Sequence, residues 1–431
     1  MPNALWQRHA ARDVPIPTLR QGIDGLLDGH GEAGPMKAVI LAAGEGARMG
    51  PFTASVPKVM IPVGNRPLLE STVQALVENG VRDLVLVVGY RRERIQSHFQ
   101  DGKAFHARIT YVTQTKQLGT AHAVAEARSH LEGPFLVLNG SNLVDGRFVE
   151  DLLGSGGKPA VLITQSERPR SYGVATVEGD RLVAITEKPV EMISNLINTG
   201  AYALDERIFE EIDRLAKDGK HDLPSAVSAL AQRTPVLAIR TEGTWVDALY
   251  PWDLLRLNAT ALKGTHEVRS GTIEPAVTIR GRVSIGDGCV IRSGAYLQGP
   301  LSLGPGCEIG PNAVLLPSTS LGKNVRIGAH TSVANSILMD DVILGPASVV
   351  QDGVIGSGVV ARAGLLAAAG AGDVQIEGEW HAVPQLGALI GEDVEIANGV
   401  SVAPGTIINE RARIESGARL RGTIPSGAVV L

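Results

Sequence analysis

A chain of 431 residues is too long to fold around one ordinary hydrophobic core, so we expect at least two domains. A net charge of −5 without a block of like charges argues against a nucleic-acid-binding surface, and no apolar run reaches the roughly 18 residues of a membrane span. Two cysteines are too few for a disulfide framework or a zinc ribbon, and together these exclusions predict a cytoplasmic protein without a nucleic-acid or membrane partner.

The first part of the chain predicts an α/β domain. Residues 1–35 precede the first predicted strand and form an N-terminal extension to which we assign no function; the α/β domain is placed at 36–262. Short apolar runs typical of buried parallel strands alternate with helical stretches. The predicted strands are Lys37–Ala43, Asp83–Val88, Ala107–Val112, Pro134–Leu138 and Ala160–Thr164, and the predicted helices include Leu68–Asn79 and Thr120–Leu131. Such a Rossmann-like domain has a mixed, mainly parallel sheet and binds ligands at the carboxyl ends of its strands.

A glycine-rich segment directly follows the first strand. It contains, in order, Leu41, Ala43, Gly44, Gly46 and Arg48. Glycines let backbone N–H groups approach an anionic phosphate chain closely. Arg48, with Lys58 ten residues later, supplies the fixed positive charge that phosphoryl transfer requires. Taken alone, the segment is equally compatible with a surface loop that carries ordinary charges.

Together with motifs further along, this segment resembles the sugar-1-phosphate nucleotidyltransferase family. The family signature runs Leu-Ala-Ala-Gly-x-Gly-Thr-Arg and then Pro-Lys; Arg48 and Lys58 keep its spacing, while Ala47 replaces the usual threonine. The further matching segments are Gln114–Ala121, Ser171–Val174, Glu187–Pro189, Asn198–Gly200 and Trp245–Asp247. The resemblance covers about residues 36–260 and extends through the C-terminal repeat. The overall layout is similar to archaeal-type bifunctional enzymes that pair UDP-N-acetylglucosamine pyrophosphorylase with glucosamine-1-phosphate acetyltransferase.

The resemblance implies a role for each matching position. Arg48 and Lys58 would be catalytic cations that stabilise the triphosphate and the leaving pyrophosphate. The implied nucleotide-binding residues are Leu41, Ala43, Gly44, Gly46, Gln114, Gly119 and Thr120. The implied substrate-binding residues are Gly173, Glu187, Lys188, Asn198 and Thr199. The substrates would be a nucleoside triphosphate, with UTP or GTP favoured by the Gln114 segment, and a sugar or cyclitol phosphate; Mg²⁺ would bridge the phosphate oxygens.

The expected metal site departs from the family pattern. The family usually carries Gly-Asp where this sequence has Gly140-Ser141-Asn142. That aspartate is a principal Mg²⁺ ligand, and because a serine hydroxyl cannot replace its charge, we expect a weakened site. Asp247 is retained as the expected metal ligand. Asp145 is either a substitute ligand or an ordinary turn residue.

A six-residue repeat predicts the architecture of residues 263–431. Aliphatic side chains recur every six residues from Ile279 to Val333 and again from Ile390 to Leu420, with small residues and glycine-rich turns between them. Each hexapeptide is then a short strand plus a turn, and three of them make one coil of a left-handed parallel β-helix. The expected phase slips by two residues at Ile337, continues through Ile343, Val349 and Ile355, and breaks between Ala361 and Leu389.

The β-helix also raises the question of a second activity. Cys289 and Cys307 lie one coil apart and should stack, either as a redox pair or as small core residues.

Family acetyltransferases place a general-base histidine near Gly345, where this sequence has none; His330 and His381 are expected to be solvated turn or loop residues. We therefore predict that the β-helix assembles a homo-oligomer, a trimer or a dimer of trimers.

Three functional hypotheses follow. The first is an active nucleotidyltransferase that makes an NDP-sugar or NDP-cyclitol and pyrophosphate. The second, motivated by Ser141, is a non-catalytic regulatory or scaffolding homologue that binds nucleotide sugar. The third is a bifunctional enzyme whose acetyltransferase works with an altered base. Release of pyrophosphate distinguishes the first hypothesis from the second.

Overall fold

The computed structural model describes residues 36–191 and 193–431, so the predicted extension lies outside the described residues. Within them an α/β domain is followed by a β-helix, which confirms the predicted fold class. Among these residues no helix combines the length and the apolar character needed to cross a membrane.

The α/β domain contains the predicted strands and helices within about one or two residues, apart from one helix. Its strands are β1 (Lys37–Ala42), β2 (Pro62–Val63), β3 (Arg66–Pro67), β4 (Asp83–Val88), β5 (Arg108–Thr113), β6 (Phe135–Asn139), β7 (Asn142–Val144), β8 (Ala160–Gln165), β9 (Gly173–Glu178), β10 (Arg181–Glu187), β11 (Leu196–Leu204), β12 (Leu237–Arg240) and β13 (Trp245–Asp247). Its helices are α1 (Leu68–Glu78), α2 (Arg92–Phe99), α3 (Thr120–Glu126), α4 (Gly146–Leu153), α5 (Ile208–Lys217), α6 (Leu223–Arg233) and α7 (Asp253–Lys263). The helix expected from Thr120 to Leu131 ends early, and a separate 3₁₀ turn (Arg128–His130) completes it.

The main sheet of this domain has the strand order β5-β4-β1-β6-β11-β8-β12-β10-β9. Strand β1 pairs in parallel with β4 and β6, whereas β11 runs antiparallel to β6 and β8. The parallel strands are nearly continuous apolar runs because both faces of the sheet are covered, one by each of two buried clusters. Strands β7 and β13 form a separate antiparallel pair.

Three parallel sheets form the C-terminal domain. The first sheet contains β14 (Val268–Arg269), β17 (Val283–Ile285), β20 (Leu301–Leu303), β23 (Thr319–Leu321), β26 (Ile337–Leu338), β29 (Val354–Ile355), β34 (Leu389–Ile390), β37 (Ile407–Ile408) and β40 (Thr423–Ile424). The second contains β15 (Thr272–Ile273), β18 (Val290–Ile291), β21 (Glu308–Ile309), β24 (Arg326–Ile327), β27 (Ile343–Leu344), β30 (Val360–Ala361), β35 (Glu395–Ile396), β38 (Arg413–Ile414) and β41 (Val429–Val430). The third contains β16 (Thr278–Arg280), β19 (Tyr296–Gln298), β22 (Val314–Leu315), β25 (Ser332–Ala334), β28 (Val349–Gln351), β31 (Leu366–Ala367), β36 (Ser401–Val402) and β39 (Arg419–Leu420). Consecutive strands belong to successive sheets, and their interior side chains form one buried column, as expected of the left-handed β-helix.

Three of the positions predicted after Val333, namely Ile337, Ile343 and Val349, are wrong by one residue, whereas Ile355 lies in the interior as predicted. Leu321 pairs with Leu338, which lies 17 residues later, so this coil is one residue shorter than the coils before it. The interior positions are consequently Leu338, Leu344 and Val350. Ile337 instead points out of the coil and is buried against the α/β domain.

The break expected between Ala361 and Leu389 contains an ordered hairpin rather than a lost coil. Strands β30 and β31 continue the helix, and β32 (Gly370–Ile376) then pairs antiparallel with β33 (Glu379–Leu386). We call residues 370–386 the inserted hairpin. Its two turn residues, Glu377 and Gly378, have φ of 49° and 85°, the left-handed conformation that a two-residue hairpin turn requires.

Cys289 and Cys307 are buried free thiols. The Sγ of Cys289 donates to the carbonyl of Gly304 at 3.1 Å, and that of Cys307 donates to the carbonyl of Gly322 at 3.0 Å. Both thiols thus occupy the small-residue position of their coils. This geometry favours the interpretation as small core residues.

The two domains share a hydrophobic core. It contains Met49, Phe52, Ile61, Val63, Leu68, Leu254 and Leu257 of the α/β domain, Ile337, Met339, Val354, Leu389 and Ile407 of the β-helix, and Val374, Ile376, Val383 and Leu386 of the inserted hairpin. The first sheet of the β-helix therefore has its outer face covered by the neighbouring domain.

Asn258 fixes the register of this interface. It is fully buried; its Nδ2 donates to the carbonyl of Ser318 at 2.9 Å, and its Oδ1 accepts from Gly64 N at 2.8 Å and Ser320 Oγ at 2.9 Å. Asn258→Ala would leave these partners unpaired, and with about 1–3 kcal/mol for each buried unsatisfied group before relaxation, we expect a loss of about 3 kcal/mol in the free energy of unfolding. Denaturant titration measures it. Thr260→Ala, on the same helix, is the matched control, and an equal loss in both variants would contradict the prediction.

Candidate active site

The signature loop, residues 43–58, leaves the carboxyl end of β1 and folds back on itself. Gly46 has φ of 76°, and a Cβ at this position would lie 2.6 Å from the Cβ of Lys58. Only glycine therefore allows Lys58 to pack here. Thr53 Oγ1 donates to the carbonyl of Gly46 at 3.2 Å, and Gln117 Nε2 donates to that of Ala43 at 2.7 Å. The loop is thereby attached both to itself and to the segment expected to recognise the base.

Asp247 lies next to the end of this loop. Its Oδ1 is 3.4 Å from Lys58 Nζ and accepts from Asn142 Nδ2 at 3.0 Å, while its backbone carbonyl accepts from Arg256 at 3.0 Å. The register of β7 and β13 places Asn142 directly opposite Asp247. Both members of the ion pair are largely buried, with side chains 18% and 12% exposed for Lys58 and Asp247. Oδ2 of Asp247 has no partner among residues 36–191 and 193–431.

Ser141 occupies the turn between β6 and β7, immediately before Asn142. Asp145 does not replace the missing carboxylate, because it caps α4 and its Oδ1 accepts from Phe148 N at 3.0 Å. The alternative of an ordinary structural aspartate is thus favoured. The described part of the chain has no cluster of three or more His, Cys, Asp or Glu that could hold a metal ion.

The donor set nevertheless fits Mg²⁺ that is carried mainly by the substrate. Mg²⁺ is commonly held by one or two carboxylates together with water and phosphate oxygens, rather than by an all-protein cage. The unpartnered Oδ2 of Asp247 offers one such carboxylate oxygen at the end of the glycine-rich loop. A single carboxylate suits an ion that arrives with the triphosphate.

The segment expected to recognise the base, residues 114–121, follows β5 and runs into α3. Gln114 is buried, and its Nε2 is 3.0 Å from the carbonyl of Gly119 and 2.9 Å from His122 Nδ1. Because a carbonyl oxygen only accepts, the amide nitrogen of Gln114 must face Gly119, which leaves the amide oxygen as an acceptor without a partner in the part of the chain that the structure describes. Thr120 Oγ1 accepts from Leu223 N at 2.8 Å and joins the segment to α6.

The expected sugar-phosphate residues meet at the ends of β9 and β10. Glu187 pairs with Gly173, where a Cβ would lie 2.9 Å from Glu187 Oε2. Partial desolvation raises the pKa of Glu187, and the neighbouring charge of Lys188 opposes that rise. Lys188 has φ of 40°, and its N–H donates to the carbonyl of Tyr172 at 3.1 Å. The structure thus brings Gly173, Glu187 and Lys188 together.

Asn198 and Thr199 lie on β11 and differ in orientation. Asn198 Nδ2 donates to Tyr202 Oη at 2.6 Å, and its Oδ1 accepts from Gly200 N at 2.9 Å. The hydroxyl of Thr199 is buried and donates to the carbonyl of Leu162 at 2.8 Å. The Thr199 carbonyl accepts from Trp245 Nε1 at 3.0 Å. Thr199 therefore contacts β13, the strand of Asp247, through its backbone, while its side-chain hydroxyl bonds within the main sheet.

The sequence gives no direct sign of the contacts that several further residues make at this site. Asn142 and Arg256 contact Asp247, and Tyr172 packs edge-on against Trp245 with ring centroids 5.6 Å apart. Asn142 could have been found from the pairing of β7 with β13, but that pairing joins segments far apart in sequence. No periodic pattern indicates Arg256.

One of the two expected solvated histidines is placed differently. His330 is an exposed turn residue with φ of 58°, as predicted. His381 lies on β33 of the inserted hairpin and packs on Tyr250 with ring centroids 4.4 Å apart. It is thus part of the domain contact, because the hairpin is ordered where a loop was expected.

Comparison with known proteins gives consistent matches to both domains. The model of the nucleotidyl transferase family matches residues 37–263, and that of the GMPPB C-terminal domain matches 297–365. The chain is 35% identical to bifunctional protein GlmU of Methanococcus maripaludis over 390 residues, covering 88% of this chain and 93% of that one. It is 33% identical to a bifunctional sugar-1-phosphate nucleotidylyltransferase/acetyltransferase of Sulfurisphaera tokodaii, covering 89% of this chain and 96% of that one.

A solved structure matches about half of the chain. It is a proposed glucose-1-phosphate thymidylyltransferase of Bacillus anthracis in complex with sucrose, at 26% identity and a TM-score of 0.50. The match covers 54% of this chain and 98% of that one.

Proposed function

This chain belongs to the nucleotidyl transferase family, and from that premise we propose that it condenses a nucleoside triphosphate with a sugar 1-phosphate, or a sugar-like cyclitol phosphate, and releases pyrophosphate. The observation that supports this most directly is the pair Lys58–Asp247 at the end of the glycine-rich loop. The loop offers backbone N–H groups to phosphate, and the pair offers one cation and one carboxylate beside it. The relative from Sulfurisphaera tokodaii, whose name includes sugar-1-phosphate nucleotidylyltransferase, supports the second substrate.

In this reaction the protein positions the two substrates and neutralises the charge of their phosphate groups. A phosphate oxygen of the sugar phosphate attacks the α-phosphorus of the triphosphate, the bond to the β-phosphate oxygen breaks, and pyrophosphate leaves. Arg48 and Lys58 would neutralise the triphosphate and the leaving group, while Lys188 would hold the attacking phosphate. Magnesium, when bound with the triphosphate, neutralises charge on the phosphate oxygens, and Asp247 is the residue that would hold it.

We propose a uracil or guanine base because of the orientation of Gln114. Its amide nitrogen is already used by Gly119, so its free amide oxygen can only accept a hydrogen bond. The Watson–Crick edges of uracil and guanine each present a ring N–H to such an acceptor. Thymine carries the same ring N–H, and adenine and cytosine offer an exocyclic amino group instead, so turnover with a panel of triphosphates tests the preference.

We also propose a homo-oligomer built through the β-helix, as the sequence predicts. Its first sheet is covered by the α/β domain, whereas among the described residues the interdomain cluster includes none from the other two sheets. The outward positions of the third sheet include Tyr296, Val314, Val349 and Leu366. Light scattering of the full chain in solution tests this, and a monomer at micromolar concentration would contradict it.

The second hypothesis, a binding protein without turnover, is supported by Ser141. One assay separates the two functions: full-length protein with Mg²⁺, a panel of nucleoside triphosphates and a panel of sugar 1-phosphates, with pyrophosphate release as the readout. Turnover with at least one pair is expected. Nucleotide-sugar binding without turnover for any pair would favour the binding protein.

Ser141→Asp should raise turnover and lower the Mg²⁺ concentration required for half-maximal rate. The substitution adds a second carboxylate next to Asn142, which contacts Asp247, and an added carboxylate strengthens a Mg²⁺ site by about tenfold or more. Ser141→Asn is the matched control, since it changes size without adding charge and should leave the Mg²⁺ requirement unchanged. An identical response of both variants would show that Ser141 does not stand at a metal position.

A further inference from the structure

The inserted hairpin extends from the β-helix to the signature loop. Arg48 Nε donates to Glu377 Oε2 at 2.9 Å, and Glu377 is the first residue of the hairpin turn. Behind this contact, Val374 and Ile376 of the hairpin belong to the same buried cluster as Met49, which follows Arg48. Packing against Met49 therefore holds the tip of the hairpin next to the backbone of Arg48.

The C-terminal domain also contacts the loop beyond Arg48. Ser55 Oγ donates to Glu392 Oε1 at 2.6 Å. Pro51 lies so near Gly391 that a Cβ on that glycine would be 3.0 Å from the Cβ of Pro51. Residues on both sides of Phe52 thus rest on the β-helix, so the shape of the loop depends on both domains.

From these contacts we propose that Glu377 is a positioning residue for Arg48, so that the C-terminal domain completes the triphosphate site of the N-terminal domain. The inference rests on the proposed role of Arg48 in binding the triphosphate. An arginine side chain has many rotamers, and holding it at Nε removes much of that freedom before the nucleotide arrives. Among the described residues neither Nη of Arg48 has a partner, so both remain available for two parallel bonds to phosphate oxygens.

The exposure of this pair helps to separate positioning from folding. The side chains of Arg48 and Glu377 are 45% and 52% exposed, and an ion pair this open to water contributes little to stability. Substitutions at Glu377 also leave the turn equally strained, because alanine and glutamine tolerate its positive φ no better and no worse than glutamate. A change in nucleotide binding is then attributable to Arg48.

The test compares two variants of the full chain in the pyrophosphate-release assay. Glu377→Ala, which removes the acceptor, should raise KM for the triphosphate roughly three- to tenfold and leave KM for the sugar phosphate unchanged. Glu377→Gln keeps an acceptor without the charge and should stay within about twofold of the wild type. Asp373→Ala, which removes an acidic side chain from the same hairpin without a bond to Arg48, is the control and should have no effect.

Two further results decide the proposal. In an Arg48→Ala background, Glu377→Ala should add nothing, because the two residues act as one unit. Calorimetric binding of the triphosphate with Mg²⁺ to each variant provides a readout that does not depend on turnover. If Glu377→Ala binds the triphosphate as tightly as the wild type does, only the role of Glu377 is overturned. Wild-type protein that neither binds triphosphate nor turns it over would overturn the proposed function as well.

Discussion

Asp247→Asn should lower kcat by about 100-fold, the largest loss that we expect from changing a single carboxylate. Asp247 is the carboxylate that contacts Lys58, and its Oδ2 is the oxygen that would hold a metal ion brought by the triphosphate. Asparagine keeps the size and the backbone contact to Arg256 but offers a neutral oxygen, which Mg²⁺ binds less readily than a carboxylate. Pyrophosphate release measured against Mg²⁺ concentration should show both the lower kcat and a higher Mg²⁺ requirement.

Asp145→Asn is the matched control for this loss. Asparagine caps a helix about as well as aspartate, so α4 should be preserved and activity should remain near that of the wild type. An equal loss in the two variants would mean that Asp145 takes part in metal binding. A normal Mg²⁺ requirement in Asp247→Asn would instead remove Asp247 from the metal site.

The β-helix was predictable from sequence because every coil buries the same position. An aliphatic residue every six positions leaves few alternative folds, and most strands of the three sheets follow that spacing. The error after Val333 has a physical cause: Ile337 and Leu338 are both aliphatic, and both are buried. Only the neighbouring domain, which covers Ile337, determines which of the two faces the interior of the coil.

The site was less predictable than the fold, since its contacts join distant parts of the chain. Arg48, Lys58 and Asp247 follow from the family signature, and the position of each in this structure is compatible with its expected role. The partners of these residues do not follow from any local pattern: Asn142 and Asp247 are 105 residues apart, and Arg48 and Glu377 are 329 apart. Thr199 matches the signature, but its hydroxyl donates a hydrogen bond within the sheet. Its contact with the site is made by its backbone carbonyl, which accepts from Trp245.

Lys58→Met should lower kcat by about 100- to 1,000-fold, the range found when one charge-stabilising group is removed from a reaction centre. Methionine has a stem of similar length, so the packing of this side chain against Gly46 should survive while the cation is lost. Steady-state rates of pyrophosphate release measure the loss. Lys103→Met, at a lysine that is 86% exposed, is the control and should be silent. A Lys58→Met variant that retained a tenth or more of the wild-type kcat would contradict the assignment.

The double variant Lys58→Met with Asp247→Asn tests whether the Lys58–Asp247 ion pair is structural or whether each residue has its own role in the reaction. If the 3.4 Å contact served only to neutralise two buried charges, removing both would restore much of the activity that either single change abolishes. In the proposed mechanism Lys58 meets phosphate and Asp247 meets the metal ion, so each has a separate task once substrate is bound. We therefore expect the double variant to be at least as slow as Lys58→Met alone, and a partial recovery would show that the pair is structural.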